Sequence, residues 1–163
     1  MSLPILSKPG IHLVSLEKLQ LIGLHVTIPF ELGKDGERSV HRVREEFIRR
    51  RHEIRHAVQP ARYVCAHYAS EVLFTYFYCL EVSSLDAIPG GMTGFTVPPH
   101  RYAAIRSDGD PYLDIENGLL ANGLRKDIRA LALEFYSFER PLWPSEVDVY
   151  VPLEPSDETE ALA

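Results

Sequence analysis

The 163 residues are 45% hydrophobic and 25% charged, which fits one globular domain burying roughly 70% of its unfolded surface without disulfides or a structural metal. Seventeen basic against 23 acidic residues leave a net charge of −6, which excludes a protein whose whole surface seeks phosphate. No apolar run nears the roughly 18 residues of a membrane span, and no charged-then-hydrophobic leader opens the chain, so a cytoplasmic location is expected.

The charge is uneven: residues 1–82 carry 11 basic and 9 acidic groups, residues 83–163 carry 6 and 14. Residues 1–10, with Pro4 and Pro9, read as a loose start. Within 11–29, Ile22, Leu24, Val26 and Ile28 alternate with Gly23, His25 and Thr27, the period of a strand with one buried face. After a turn around Gly33, Asp35 and Gly36, the residues Val40, Val43, Phe47, Ile48, Ile54 and Val58 recur at helical spacing until Pro60. Residues 61–69 and 72–82 are rich in Tyr, Val and Phe and read as a hairpin around Ser70 and Glu71. The first unit is therefore strand, helix, strand, strand.

A Pro89-Gly90-Gly91 turn opens a second unit. Residues 94–106 are strand-like, with Pro98 and Pro99 requiring a break or an edge. Asp110 before Pro111 suits a helix start, and Leu113, Leu120, Leu124, Ile128 and Leu131 suggest an apolar helical stripe. Residues 133–139 and 147–153 close the unit as strands. Two βαββ units, about 11–82 and 92–153, are expected to form one α+β domain. Residues 154–163 hold Glu154, Asp157, Glu158 and Glu160 with no basic residue and are expected to be a disordered tail.

Four of the five residues 74–78 and three of the four residues 135–138 are aromatic. Most belong in the core, yet Phe74, Tyr76 and Tyr78 on one face and Phe77 on the other give that strand two aromatic faces, and a Tyr-rich second face fits a ligand pocket. Alternation puts Glu134, Tyr136 and Phe138 on one face of their strand. On the last strand it leaves Asp148 and Tyr150 opposite an apolar face of Val147, Val149 and Val151. The two acid-x-Tyr pairs are expected on the same side of the sheet, where a carboxylate among rings calls for a cation. The alternative is that these acids lie at solvent-exposed edges and the tyrosines shield the sheet. Burial is expected to raise the pKa of such a Glu134 when the site is empty, and a bound cation to lower it.

Other signals compete. His52-Glu53-Ile54-Arg55-His56 matches H-E-x-x-H, but Arg51 and Arg55 oppose a dication, no third ligand follows and Pro60 closes the helix, so no metal is assigned. Cys65 and Cys79 fit no zinc or redox spacing and read as reduced thiols. Arg42, Arg44, Arg49, Arg50, Arg51 and Arg55 are interleaved with Glu45, Glu46 and Glu53, which describes a solvated helix face rather than a nucleic-acid surface. Of the scattered histidines only His25, expected on the groove-facing side of the first strand, is placed near a ligand. Trp143, between Pro141 and Pro144, reads as a lid or a packed loop residue.

The chain resembles the GyrI-like domain, the effector-binding domain of bacterial multidrug-responsive transcription activators, which also occurs free-standing. The resemblance rests on the order of EKLQLIGLHV (17–26), FTYFYCLEV (74–82), IPGGM (88–92), RYAAIRSDG (101–109), LEFYSFE (133–139) and VDVYVPLE (147–154). It implies pseudo-twofold βαββ units with helices on one face of an antiparallel sheet and a ligand groove on the other. There the acid of the C-terminal acid-x-Tyr element and an upstream Glu receive cationic drugs among aromatics, and the matching positions are Glu134, Asp148 and Tyr150. Cys79 stands where the family usually has Gly, and Asp148 where Glu is more familiar.

The expected function is binding of hydrophobic, cationic small molecules, with no cofactor. Glu134 and secondarily Asp148 supply charge, and Tyr76, Tyr78, Tyr136, Tyr150, Phe95, Tyr102 and Trp143 supply walls. With no helix-turn-helix segment left over, the chain itself is not expected to contact nucleic acid. Some free-standing members of the family resemble hydrolases of electrophilic cyclopropane-bearing compounds, which would make Glu134 a general base. A protein-protein regulatory module is a further alternative.

Overall fold

The structure, a computed structural model, describes residues 10–30, 34–106, 111–139 and 147–155. In chain order the elements are β1 (His12–Leu16), β2 (Leu19–Pro29), α1 (Lys34–Arg50), β3 (Arg62–Ala69), β4 (Leu73–Val82), β5 (Thr93–Val97), β6 (His100–Arg106), α2 (Pro111–Ala121), β7 (Ala132–Ser137) and β8 (Asp148–Pro152). All strands join one antiparallel sheet in the order β1-β6-β8-β7-β3-β4-β2-β5.

The two βαββ units are present: β2-α1-β3-β4 forms one half of the sheet and β6-α2-β7-β8 the other, meeting where β3 pairs with β7. Each half also has a leading strand. The segment read as continuous over 11–29 breaks at Glu17-Lys18, and β1 crosses to pair with β6 of the second half. Likewise Pro98-Pro99, unable to donate ladder hydrogen bonds, separates β5 from β6, and β5 crosses to pair with β2. The turn before β5 forms as its sequence requires: the Met92 amide donates to the Pro89 carbonyl at 3.1 Å, and Gly91 takes φ +80°, which favours glycine. Ser70 shapes the β3–β4 hairpin, its hydroxyl accepting from the Leu73 amide at 3.0 Å.

Both helices are shorter than their apolar periodicity suggests. α1 carries Asp35 and Glu37 in its first turn and Arg49 and Arg50 in its last, matching its dipole, and it buries Phe47 against Tyr63, Tyr78 and Leu80. It ends before Ile54, which is buried from an extended segment, and before Val58, which is exposed. α2 ends at Ala121, so Leu124, Ile128 and Leu131 are not helical. Its buried residues are Pro111, Ile115, Gly118 and Leu119, of which Ile115 and Leu119 pack with Val147, Val149 and Val151, whereas Leu120 is 80% and Ile128 71% exposed. Asp110 and residues 156–163 of the acidic tail lie outside the described residues.

The H-E-x-x-H segment is not a helical motif. Arg51–Glu53 is a single 3-10 turn, Ile54 is extended and His56 has φ 64°, so the two histidines do not share a helix face. Glu53 instead receives Arg50 through two hydrogen bonds of 2.8 and 3.0 Å. Among the described residues no group of three or more His, Cys, Asp or Glu could hold a metal ion, and no helix is long and apolar enough to cross a membrane.

Candidate functional site

The central strands β3 and β7 lie between the parts of the sheet that α1 and α2 cover, and a cavity of about 720 Å³ opens there. Its walls come from Arg44 and Ile48 of α1, Tyr112 and Glu116 of α2, and Tyr76 and Tyr78 of β4, with Glu134 among the residues beneath. The cavity is therefore on the helix face of the sheet, not on the opposite one. The opposite face has no room for it, because Leu21, Val64, Ala66, Cys79, Val97, Tyr102 and Leu133 fill it as buried core.

Register decides which acid reaches the cavity. β7 and β8 pair Leu133 with Tyr150, Glu134 with Val149 and Phe135 with Asp148, and directly paired residues share a face. Glu134 thus lies on the same side as Val149, over which α2 packs. Asp148 and Tyr150 point the other way, so the expectation that the two acid-x-Tyr pairs share a side is corrected. Asp148 is taken by Arg106 at 3.0 Å, and Tyr150 sits edge-on to Phe135 and Tyr102. Phe95 packs on Phe77; His25, also beside Phe77, lies away from the helices as expected but therefore away from the cavity. Trp143 lies outside the described residues. Of the candidate residues, the structure brings together Glu134, Tyr136, Tyr76 and Tyr78.

Glu134 is only 9% exposed. One carboxylate oxygen, Oε1, accepts the Tyr136 hydroxyl at 2.5 Å. The other, Oε2, accepts the Tyr112 hydroxyl and lies 3.0 Å from His67 Nε2, which is itself 2.8 Å from the Tyr112 oxygen. Since Tyr112 gives its single proton to Glu134, the contact with His67 requires a hydrogen on Nε2. Burial pushes the Glu134 pKa up, but His67, Tyr112 and Tyr136 together outweigh it and hold the carboxyl below the ordinary glutamate range. The expected rise is thus reversed, because hydrogen bonds to the charged form win over desolvation. Tyr112 and Tyr136 are held neutral, first by burial and then by the adjacent Glu134 charge. Tyr63, whose ring stacks on Tyr136 at 5.0 Å and 9°, is pushed up to about 12, chiefly by burial.

His67, Tyr112 and Tyr63 were not among the residues that sequence reasoning placed at the site. His67 carried a usable signal: with Tyr63 and Cys65 it follows the period of two along β3, on the face that meets Glu134. Tyr112 carried none, since its approach to Glu134 depends on where α2 docks.

The arrangement is a nearly buried carboxylate, with three hydrogen-bonding partners that favour its charged form, in a roomy, tyrosine-lined cavity between α1 and α2. The structure of SAV2435 bound to tetraphenylphosphonium is similar at TM-score 0.65 and 13% identity, covering 88% of this chain and 93% of that one. The EcmrR C-terminal domain aligns at TM-score 0.60 and 10% identity over 88% and 96%. An integron cassette protein from the mobile metagenome of Vibrio cholerae aligns at TM-score 0.56 and 12% identity over 90% and 97%. A search of curated proteins found no match. The family described as Cass2, integron-associated effector binding protein, matches residues 12–153. With that span covering both halves of the sheet and the whole cavity, the chain belongs to the Cass2 family of integron-associated effector binding proteins, in keeping with its GyrI-like sequence pattern.

Proposed function

We propose that this protein binds lipophilic organic cations in the cavity between α1 and α2. Glu134 takes the positive charge, and Tyr76, Tyr112 and Tyr136 present ring faces to the ligand. The observation that carries this is the Glu134 carboxylate, nearly buried yet held ionised at a cavity of about 720 Å³. A fixed anion in such surroundings favours a guest that brings charge without a tight hydration shell, and tyrosine faces attract the same guest. The similar fold seen with tetraphenylphosphonium supports the choice of cation. A carboxylate stabilised by three partners is a weak base, which favours binding over water activation by Glu134.

The test is titration of tetraphenylphosphonium against wild type and Glu134→Gln, with neutral triphenylphosphine oxide as the uncharged control. The variant should lose at least about tenfold in cation affinity, on the order of 1.4 kcal/mol, and keep its affinity for the neutral compound. Equal cation affinities would remove Glu134 from the role.

A further inference from the structure

The carboxylate of Glu134 does not stand alone in the cavity. Among the described residues, the group within ion-pair distance of it is His67, with Nε2 at 3.0 Å from Oε2. Three atoms, Glu134 Oε2, His67 Nε2 and the Tyr112 oxygen, are mutually within hydrogen-bond reach. Tyr112 has one proton to give and here gives it to Glu134. An isolated buried anion is costly, and an imidazole 3.0 Å away is placed to offset that cost.

We propose that His67 is the resident counter-cation of Glu134, and that an incoming organic cation takes its place and expels its proton. This rests on the cation-binding reading above. The exchange balances: one positive charge enters with the ligand, the Nε2–H bond of the imidazolium breaks, and the proton leaves to solvent. The Tyr112 hydroxyl, 2.8 Å from Nε2, can then turn its proton from Glu134 to the bare nitrogen, which frees an Oε2 lone pair toward the guest. His67 thereby sets specificity. It handicaps cations in acid and leaves neutral ligands, which displace no proton, unaffected.

The other charged groups around the cavity are Arg44 and Glu45 on α1, Glu116 on α2, and Lys126. Carboxylates, guanidinium and ammonium groups as classes keep one charge between pH 5.5 and 8, the window in which imidazole changes its own. The neighbouring Tyr76, Tyr78, Tyr112, Tyr136 and Cys65 are all pushed up, foremost by burial, and remain protonated there. His41, on α1, lies 3.2 Å from an Arg44 nitrogen and is the titratable group to control for.

The experiment is calorimetric titration of the full chain with tetraphenylphosphonium from pH 5.5 to 8, in buffers of differing ionisation enthalpy, so that proton release is counted on the wild type. Affinity should rise about tenfold across the window, with release approaching one proton at the acid end. His67→Gln, which keeps an N–H donor, should flatten the profile, and His41→Gln should not. Binding that still depends on Glu134 but releases no proton, or an unchanged slope in His67→Gln, overturns the role of His67 alone. Absence of binding at every pH overturns the cation-binding reading and this inference with it.

Discussion

A buried carboxylate with three partners is a stability element in its own right. The pKa of Glu134 is lowered in the folded state, so its contribution is complete above the ordinary glutamate pKa and is lost as pH falls through the folded value. Removing one donor, in Tyr112→Phe or Tyr136→Phe, should cost about 1.5–3 kcal/mol at pH 7, the range for hydrogen bonds to charged groups. Urea unfolding of each variant measures this. The deficit should shrink as pH falls below the ordinary glutamate range, where the carboxylate takes up a proton; a deficit independent of pH would assign the loss to ring packing. At this scale the sequence was half informative. Glu134, Tyr136, Tyr76 and Tyr78 were legible from two strand periodicities, because side-chain direction within one strand follows its own alternation. Asp148 and Tyr150 were misplaced because the relation between two strands depends on register, and a shift of one residue reverses the face.

Among the elements, the β2–β4 pair is the one that tolerates least. A Cβ on Gly23 would stand 1.8 Å from the Tyr78 carbonyl oxygen and 2.7 Å from the Cys79 Cα, both backbone atoms that cannot swing aside. Gly23→Ala should therefore displace the strand and destabilise the fold by more than about 2 kcal/mol, seen as a lower thermal midpoint. Because Tyr78 is one of the cavity walls, the same variant should also weaken ligand binding. Strand existence and the β3–β4 hairpin were readable from alternation and turn residues. Helix lengths were not: Ile54, Leu124 and Leu131 fit a helical period without being helical, since loop residues covering the core are apolar for the same reason that helix faces are. The splits at Glu17-Lys18 and Pro98-Pro99 carried local signals, but the destination of β1 and β5 is set by pairing with distant strands.

Across the whole molecule, that crossing of leading strands makes the halves interdependent. β1, from the first half, covers the edge of β6 in the second, and β5 does the reverse for β2. Deleting residues 1–17 should accordingly loosen the half it is not part of: amides of β6 should exchange with solvent faster, and the thermal midpoint should fall. Unchanged protection in β6 would mean that β8 alone secures it. The cavity is built across the same division, with Tyr76 and Tyr78 contributed by the first half and Tyr112, Glu134 and Tyr136 by the second.

The exchanged strands also bear on what a cut would do. Severing the chain within residues 83–92, between β4 and β5, would not release two self-sufficient pieces. Each fragment would carry a strand whose seat is in the other, so the fragments would clasp reciprocally, as in donor-strand complementation. A guest held by Glu134 on one piece and by Tyr76 on the other would tighten that clasp, which makes the fold a natural two-part reporter whose reassembly follows ligand concentration.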